Sequence, residues 1–208
     1  FSTGGYSALY GQALSSALIM ESIDLPERSE ADLGISVVGI GGGIQKLAKN
    51  KKSSWGLSFN YTNLWLAFNV IKQKQDFFRI PLAYQGDANF RIRTKNGMLK
   101  YYGYLSQNTV GFRTGDLDSL SLKNAFRLSN INTYHSLSWR ERLGKGWRLQ
   151  AGISYSTNKD DLSNELQNAA NQKLRFDTFS VMALKQFDLV TRGHYAQGRL
   201  VLEKKLSG

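Results

Sequence analysis

The 208-residue chain contains no cysteine and two prolines, Pro26 and Pro81, and each scarcity narrows its class. Without cysteine, a disulfide scaffold, a thiol catalyst and a cysteine-ligated metal site are all excluded. The small number of prolines leaves long stretches free to hydrogen-bond in β-ladders. No run of 18 apolar residues occurs, which excludes a transmembrane helix. A membrane β-barrel remains compatible with the mean hydropathy of −0.36, because its strands alternate in polarity.

Histidine is equally scarce, and the chain offers little for catalysis. His135 and His194 are the two histidines, and neither stands in a recognisable arrangement with a serine or carboxylate, so we expect wall or loop residues. The glycine cluster at residues 39–44 lacks the Gly-Lys-Ser/Thr that a phosphate-binding loop requires. Two acidic pairs are candidate Ca²⁺ ligands, although solvated turn acids are commoner: Asp116 with Asp118, and Asp160 with Asp161. We therefore expect no enzymatic activity, no cofactor and no metal.

Acidic residues are few relative to basic ones, since 16 Asp and Glu against 27 Lys and Arg give a formal net charge of +11. Such a balance suits an anionic partner such as nucleic acid, lipopolysaccharide phosphate or an acidic ligand. The basic residues are scattered, however, and their one dense run, residues 46–52, is typical of a solvated turn. A soluble barrel that binds nucleic acid needs aromatic and basic residues on one face. Residues 54–62 keep aromatic and polar side chains on opposite faces, so we expect no nucleic-acid partner.

Aromatic residues and glycine are abundant: 11 Phe, 10 Tyr, 4 Trp and 20 Gly favour a β-rich fold. Residues 54–62 alternate strictly between apolar and polar positions and predict a strand. Residues 33–46 predict another strand that runs into the glycine cluster. The apolar phase slips by one at Asn63, which predicts a bulge. After the slip, four residues carry the apolar face: Leu64, Leu66, Phe68 and Val70.

Turn signals between alternating segments predict a series of hairpins. Residues 46–53 predict a polar turn, and the Asn-Gly pair at 96–97 is the strongest local hairpin signal in the chain. A second hairpin is predicted from strands 120–142 and 147–157, closed by residues 143–146.

The remaining segments are predicted from their polarity. Residues 71–86 predict a longer connection, and residues 158–172 a polar loop that contains a short helix. Residues 174–186 and 194–205 predict a final strand pair. The total is about eight strands, with no helix between them to indicate a parallel sheet.

Several predicted strands exceed the ~5–6 residues of soluble sheets and reach the ~9–11 that cross a bilayer with tilt. Aromatic residues near strand ends suit an interfacial girdle: Trp55, Tyr61, Trp65, Tyr101, Trp139, Trp147 and Tyr155. In residues 87–93 the apolar side chains of Ala88, Phe90 and Ile92 are predicted to face lipid. The alternate polar residues, including Arg91 and Arg93, are predicted to face a lumen.

The N-terminal segment carries a family resemblance. Residues 4–11 read Gly-Gly-Tyr-Ser-Ala-Leu-Tyr-Gly, which resembles an element near the end of the plug domain of TonB-dependent outer-membrane receptors. Residues 16–24 stand where that family has its closing plug strand, although the family's usual Thr-Lys-like ending is replaced here by Asp24-Leu25-Pro26. Residues 144–159 are similar to an early barrel hairpin of the same family.

The resemblance implies a transporter of the Gram-negative outer membrane. On this interpretation residues 1–28 end the plug, and residues 29–208 supply about eight antiparallel strands of a larger transmembrane β-barrel, which has 22 strands in this family. Because the chain starts at Phe1 within a motif, we expect it to be internal to a longer protein. The family takes up a scarce nutrient of the siderophore, cobalamin, sugar or peptide class, with energy relayed by TonB through a region absent from this chain. Other implied partners are outer-membrane lipid and lipopolysaccharide, an unknown small ligand and a surface lipoprotein.

Four residues are candidate contacts with a ligand or with the plug: Tyr6, Tyr10, Arg91 and Arg93. For the two arginines, contact with an anionic ligand competes with ordinary ion pairs to plug carboxylates. A rival function is a small closed eight-stranded outer-membrane barrel with an adhesin or structural role. The direction in which the strands cross the membrane also stays open, because family order and loop length point opposite ways.

Overall fold

The computed structural model describes residues 24–119, 121–175 and 181–205, which form a single antiparallel sheet of eight strands in chain order. The strands are β1 (Glu30–Ser36), β2 (Gly39–Leu47), β3 (Ser53–Asn63), β4 (Asp76–Arg93), β5 (Gly97–Gly115), β6 (Lys123–Gly144), β7 (Trp147–Gln167) and β8 (Phe187–Lys204). One helix, α1 (Trp65–Val70), separates β3 from β4, and a 3₁₀ helix (Val181–Lys185) precedes β8. The prediction of an all-β antiparallel fold with about eight strands is confirmed.

The sheet is open and has one layer. Within the described residues β1 and β8 form its two edges, and no pairing joins them. The buried apolar side chains of these residues are few: Met98, Ala125 and Leu166. Large apolar side chains such as Leu33 and Leu200 are instead more than 70% exposed, at 73% and 74%. An exposed apolar surface of this size indicates that another apolar surface or medium covers it.

Short turns join three of the hairpins at one end of the sheet. Lys51 has a φ of 52° in the β2–β3 turn, where its N–H donates to the carbonyl of Ala48 at 2.8 Å. In the β6–β7 turn Gly144 and Gly146 have φ values of 87° and 80°, a conformation that glycine adopts without strain. The turns predicted at residues 46–53, 96–97 and 143–146 are therefore confirmed.

The single strand predicted over residues 33–46 is wrong, because the chain reverses there and forms the β1–β2 hairpin. The turn is Val37-Val38, and Ser36 stabilises it: its Oγ accepts from the N–H of Val38 and donates to the carbonyl of Gly39, both at 3.3 Å. A Cβ on Gly39 would lie 2.0 Å from the carbonyl oxygen of Tyr61, so glycine is required by the close approach of β3. Valine favours strands, which explains why residues 37 and 38 carry no turn signal.

The expected bulge at Asn63 is a strand end. Asn63 Oδ1 accepts the N–H of Trp65 at 2.9 Å, which turns the chain into α1. Leu64, Leu66, Phe68 and Val70 therefore do not continue the apolar face of β3, and Trp65 lies on a helix rather than in a girdle position.

The connection predicted over residues 71–86 is mostly strand, because β4 begins at Asp76. Its pairing with β5 shifts register between Phe77 and Arg79 and between Arg79 and Leu82, so the irregularity lies here. Pro81 is tolerated at this point because the ladder is already interrupted. Its carbonyl accepts the N–H of Leu64 at 3.2 Å and ties the end of β3 to β4.

The polar loop and helix predicted over residues 158–172 are wrong up to Gln167, since β7 continues to that residue. Side-chain amides bridge the polar rungs: Asn158 donates to Asn132 at 2.7 Å, and Asn164 donates to Asn124 at 3.0 Å. The apparent helical spacing of Leu162 and Leu166 equally keeps two residues on one side of a strand.

Of the final predicted strand pair, the strand over residues 194–205 is confirmed as part of β8, whereas the described residues of 174–186 form no strand. β8 is one strand that pairs with β7 from Phe187 to Lys204, and Val181–Lys185 is a 3₁₀ helix. Residues 176–180 lie outside the described residues. The prediction missed the first part of β8, because residues 187–193 contain charges and a glycine that interrupt the apolar alternation of this strand.

Candidate functional site

The strand register sorts the side chains of the sheet onto two faces. Residues directly opposite in an antiparallel pair point to the same side. Trp55 lies opposite Phe90, and Leu137 lies opposite Ile153, and such partners repeat from β1 to β8. We call the part of this side that lies next to the short turns the apolar band. Its members include Leu33 and Ile35 (β1), Ile40 and Ile44 (β2), Leu57 and Phe59 (β3), Ala88 and Ile92 (β4), Leu99 and Leu105 (β5), Leu137 and Trp139 (β6), Ala151 and Ile153 (β7), and Leu200 and Leu202 (β8).

Aromatic and histidine side chains mark both margins of the apolar band. Near the short turns stand Trp55, Phe90, Tyr101, Trp139 and Trp147. At the far margin stand Tyr61, Tyr84, His135, Tyr155 and His194.

Contacts between strands connect these margin residues. The rings of Tyr61 and Tyr84 lie 5.1 Å apart. Tyr155 Oη lies 2.8 Å from His194 Nδ1, a hydrogen bond that reaches across the β7–β8 pair. An equivalent bond of 2.9 Å joins Tyr101 Oη to His135 Nδ1. Both histidines are thus wall residues on strands, paired with tyrosine rather than with a catalytic serine or carboxylate.

Beyond the far margin the polarity of the two faces is exchanged. On the side that carries the apolar band, polar and charged residues then predominate, with Ile131 and Val190 as apolar exceptions: Gln107, Thr109, Arg127, Ser129, Lys159, Asp161, Ser163 and Arg192. The opposite side first carries the amides of Asn130, Asn132 and Asn158. Further from the band it becomes apolar and gathers Phe68 from α1, Phe77, Phe112 and Phe126, with successive ring centroids 5.0, 6.3 and 5.5 Å apart. Leu166 is fully buried in this half of the sheet.

The face opposite the apolar band is polar, and here it holds the arginines predicted from the sequence. On β4 Ala88, Phe90 and Ile92 lie on the apolar band, whereas Arg91 and Arg93 lie on the polar face, as expected.

Two further basic residues lie beside these arginines on neighbouring strands. Arg91 stands opposite Lys100 of β5, and Arg93 stands opposite Met98, which in turn stands opposite Arg140 of β6. We call Arg91, Arg93, Lys100 and Arg140 the basic cluster.

Asp24, which precedes β1, is the carboxylate that meets the basic cluster. Its Oδ1 lies 3.0 Å from Lys100 Nζ and also accepts a hydrogen bond from Arg140. Burial alone would raise the pKa of Asp24, but the hydrogen bond from Lys100 and the charges of Lys100 and Arg140 hold this pKa below its usual range. Asp24 belongs to the segment predicted to end the plug, and it is the first described residue of that segment to meet the polar face.

Three buried polar atoms next to Asp24's partners have no hydrogen-bond partner in the described part of the chain. They are Arg91 Nη1, Asn89 Oδ1 and Ser54 Oγ. Ser54 is 2% exposed and lies directly opposite Arg91, so these atoms form one site on β3 and β4. Burying unpaired polar atoms is costly, and a bound group with an acceptor for Arg91 Nη1 and a donor for Asn89 Oδ1 would satisfy them.

Only the two arginines of this site could be predicted from the sequence, and its acidic member could not. Arg91 and Arg93 follow from strand alternation, but Lys100, Arg140 and Asp24 join them through strand pairing, which links residues far apart in the chain. The other two candidate contacts, Tyr6 and Tyr10, lie outside the described residues.

The candidate Ca²⁺ ligands have other partners. Lys185 Nζ lies 2.8 Å from Asp116 Oδ2 and 2.6 Å from Asp118 Oδ2, so an ammonium stands between these carboxylates. The hydrogen bonds from Lys185 and then Asn124 lower the pKa of Asp116 to about 2. Among residues 24–119, 121–175 and 181–205, no group of three metal-ligating side chains occurs. This ion pair ties the β5–β6 loop to the 3₁₀ helix.

Comparison with known proteins assigns the chain to no family. No protein-family model, curated protein or solved structure matches the chain. None of the helices in the described residues is long and apolar enough to cross a membrane.

Proposed function

We propose that this chain is part of the wall of an outer-membrane transporter of the TonB-dependent receptor type. The observation that carries the proposal is the apolar band, which continues across all eight strands and has aromatic margins. Its run along β7 and β8 matches the ~9–11 residues that a tilted strand needs to cross a bilayer. A lipid-facing barrel surface has this composition, with aromatic girdles above and below an apolar belt.

The exchange of polarity between the two faces supports one direction in which the strands cross the membrane. The short turns lie next to the apolar band, whereas β5 to β8 extend far beyond its other margin and carry charge on the same side. Outer-membrane barrels have short periplasmic turns and long extracellular segments. We therefore propose that the turns near Lys51, Asn96 and Lys145 face the periplasm and that Asp116 and Lys185 lie outside the cell.

The open edges favour a barrel larger than eight strands. β1 and β8 are not paired with each other in the described chain, and an open edge against lipid leaves its N–H and C=O groups unsatisfied. More strands would satisfy them. An eight-stranded barrel is filled by its own side chains, whereas Asp24 occupies the polar face and needs a lumen wide enough for the segment that carries it. This arrangement disfavours the small closed barrel and suits the 22 strands that the family resemblance implies.

In this proposal the chain supplies the wall and the anchor of the plug. The ion pair of Asp24 with Lys100 and Arg140 holds the end of the plug on the lumen side. Arg91, with an unpaired Nη1, and Arg93 remain available to a luminal partner. A scarce nutrient is captured on the outer face, and TonB then rearranges the plug, as the family resemblance implies.

Spin labels along β7 test the membrane assignment, because the chain has no native cysteine to interfere. A nitroxide is attached singly at residues 149–157 and 159–165 of the protein in lipid vesicles, and its collision rate with lipid-soluble oxygen is measured. Within 149–157 the rate should alternate, high at Ile153 and low at Ser154. Within 159–165 the collision rate with oxygen should be low at odd- and even-numbered residues alike. Equal contact at Ile153 and Ser154 would contradict the proposed lipid face.

The size of the mature protein tests the transporter assignment separately. An antibody to this segment detects the protein in detergent-extracted outer membranes, and its intact mass is measured. A mass several-fold above the 23.4 kDa of this chain is expected. A species of 23.4 kDa would overturn the large barrel and leave the small one.

A further inference from the structure

Two cations stand opposite each other just beyond the far margin of the apolar band, on the same side of the sheet. Lys159 of β7 pairs directly with Arg192 of β8 in the register. Both are exposed. Like charges placed directly opposite in an antiparallel pair destabilise the sheet. This arrangement therefore costs stability unless an anion lies between the two side chains.

No carboxylate in the described part of the chain neutralises these cations. Neither Lys159 nor Arg192 makes an ion pair or side-chain hydrogen bond with a described residue. Asp161, two positions along β7 on the same side, lies 3.7 Å from Arg127 and is engaged there. Asp160 points to the other side, where it accepts from Asn130.

The surroundings of the cation pair are amphiphilic. Directly toward the short turns lie Thr157 and His194, then Tyr155, and then the apolar side chains of Ile153 and Leu200, which are 63% and 74% exposed. A molecule that covers both parts needs an anionic head and an apolar tail. Arginine suits a phosphate group because it offers a planar fork of donors, and lysine adds a compact charge.

We infer that Lys159 and Arg192 bind the phosphate group of a membrane lipid whose acyl chains lie along Ile153 and Leu200. This inference rests on the proposed membrane location of the apolar band. It assigns one lipid site to the β7–β8 pair, at the outer margin, and a phosphorylated glycolipid of the outer leaflet has the required chemistry.

The test compares lipid retention by the complete protein and by the variant K159Q/R192Q. Each is purified in detergent, mixed with lipid A and phosphatidylcholine, and analysed by native mass spectrometry. The variant should retain about 25-fold less lipid A relative to phosphatidylcholine, because it lacks two basic side chains and each one near a membrane surface contributes about a factor of five to anionic lipid binding. Dephosphorylated lipid A should bind equally poorly to both proteins.

A matched control removes two cations at the other margin of the band. Lys49 and Lys52 lie in the β2–β3 turn, and K49Q/K52Q should retain lipid A as the unchanged protein does. Equal lipid A retention by K159Q/R192Q and the unchanged protein would overturn the inference. Displacement of lipid A by millimolar inorganic phosphate would also overturn it, because the site would then select phosphate without the lipid.

Insertion into phosphatidylcholine vesicles separates this inference from the proposed function. If the protein inserts but shows no preference for lipid A, the lipid site is wrong and the barrel assignment stands. If it does not insert, the proposed function fails, and the cation pair has no membrane to face.

Discussion

The half of the sheet next to the short turns and the half beyond the far margin use the same strands in opposite ways. Along β7, Ile153 presents an apolar side chain to the side where Asp161, further along, presents a charge. On the other side, Ser154 is followed by the buried Leu166. A strand alternates with a period of two residues throughout, so this exchange reflects a change of surroundings and not of secondary structure. Under the proposed function, it marks where the lipid ends.

Truncation of Leu166 should have the largest effect on the half beyond the margin. Leu166 is fully buried among the side chains that cover this half, and Leu166→Ala should destabilise the fold by about 2–5 kcal/mol, since it removes buried methyl groups and leaves a cavity. Urea unfolding of the protein from lipid vesicles measures the change. Leu143→Ala, at a side chain that is 55% exposed, is the matched control and should change little. Equal effects of the two variants would mean that this half has no packed interior.

An arginine placed at Ile153 sharpens the comparison between the halves. If the apolar band faces lipid, Ile153→Arg should cost about 2–4 kcal/mol near the bilayer midplane. Ser129→Arg lies on the same side of the sheet but beyond the margin, opposite Asp161, and should be nearly neutral. Folding into vesicles at a series of urea concentrations measures both. A similar cost at the two positions would remove the distinction.

The ion pair between Asp116 and Lys185 should make the β5–β6 loop sensitive to acid. Lys185 lowers the pKa of Asp116 to about 2 from an ordinary value of 3.8. Because the folded pKa is depressed, the stabilisation is present above the ordinary value and is lost as the pH falls from about 4 toward about 2. Amide hydrogen exchange at Asp118 and Ser119, whose N–H groups donate to Asp116, should quicken over this range after correction for intrinsic rates.

A variant isolates the contribution of that carboxylate. Asp116→Asn should exchange quickly at these amides already at neutral pH and should show no step between pH 4 and 2. A step of unchanged size in the variant would assign the titration to another group.

The contact of Asp24 with the basic cluster should have the smallest effect on stability. Its side chain is 45% exposed and is partly screened by solvent, so Asp24→Asn should cost at most about 1 kcal/mol. The depressed pKa of Asp24 means that its contribution is lost as the pH falls below the ordinary value. Protease cleavage before β1 measures release of this segment, with Asp32→Asn in β1 as the control. Unchanged cleavage of Asp24→Asn, also at raised salt, would show that this ion pair does not anchor the segment.

Prediction from the sequence succeeded where alternation and turn chemistry agree. The strand at Trp55 to Tyr61 and the hairpin at Asn96-Gly97 have strong local signals, and both are present. It failed where side chains from another strand decide the outcome. Asn158 looks like a loop residue until Asn132 accepts its hydrogen bond, and Val37 looks like a strand residue until Ser36 stabilises a turn.

The candidate site shows the same division. Arg91 and Arg93 were predicted on the polar side of β4 because every second residue shares a face. Their neighbours Lys100 and Arg140 were not predicted, because the β4–β5 and β5–β6 registers decide which residues stand opposite each other. The partner Asp24 was not predicted either, because it lies far from Lys100 and Arg140 in the chain and no local pattern indicates that they meet.

Residues close together in the chain were enough to indicate the β class, the antiparallel hairpins and the alternation that separates apolar from polar side chains. Three features emerge only when the strands are paired: the apolar side chains of eight strands align into one band, the polarity changes beyond Tyr155 and His194, and Asp24 meets Lys100. Each of these depends on register, and register is a relation between strands that no single strand contains.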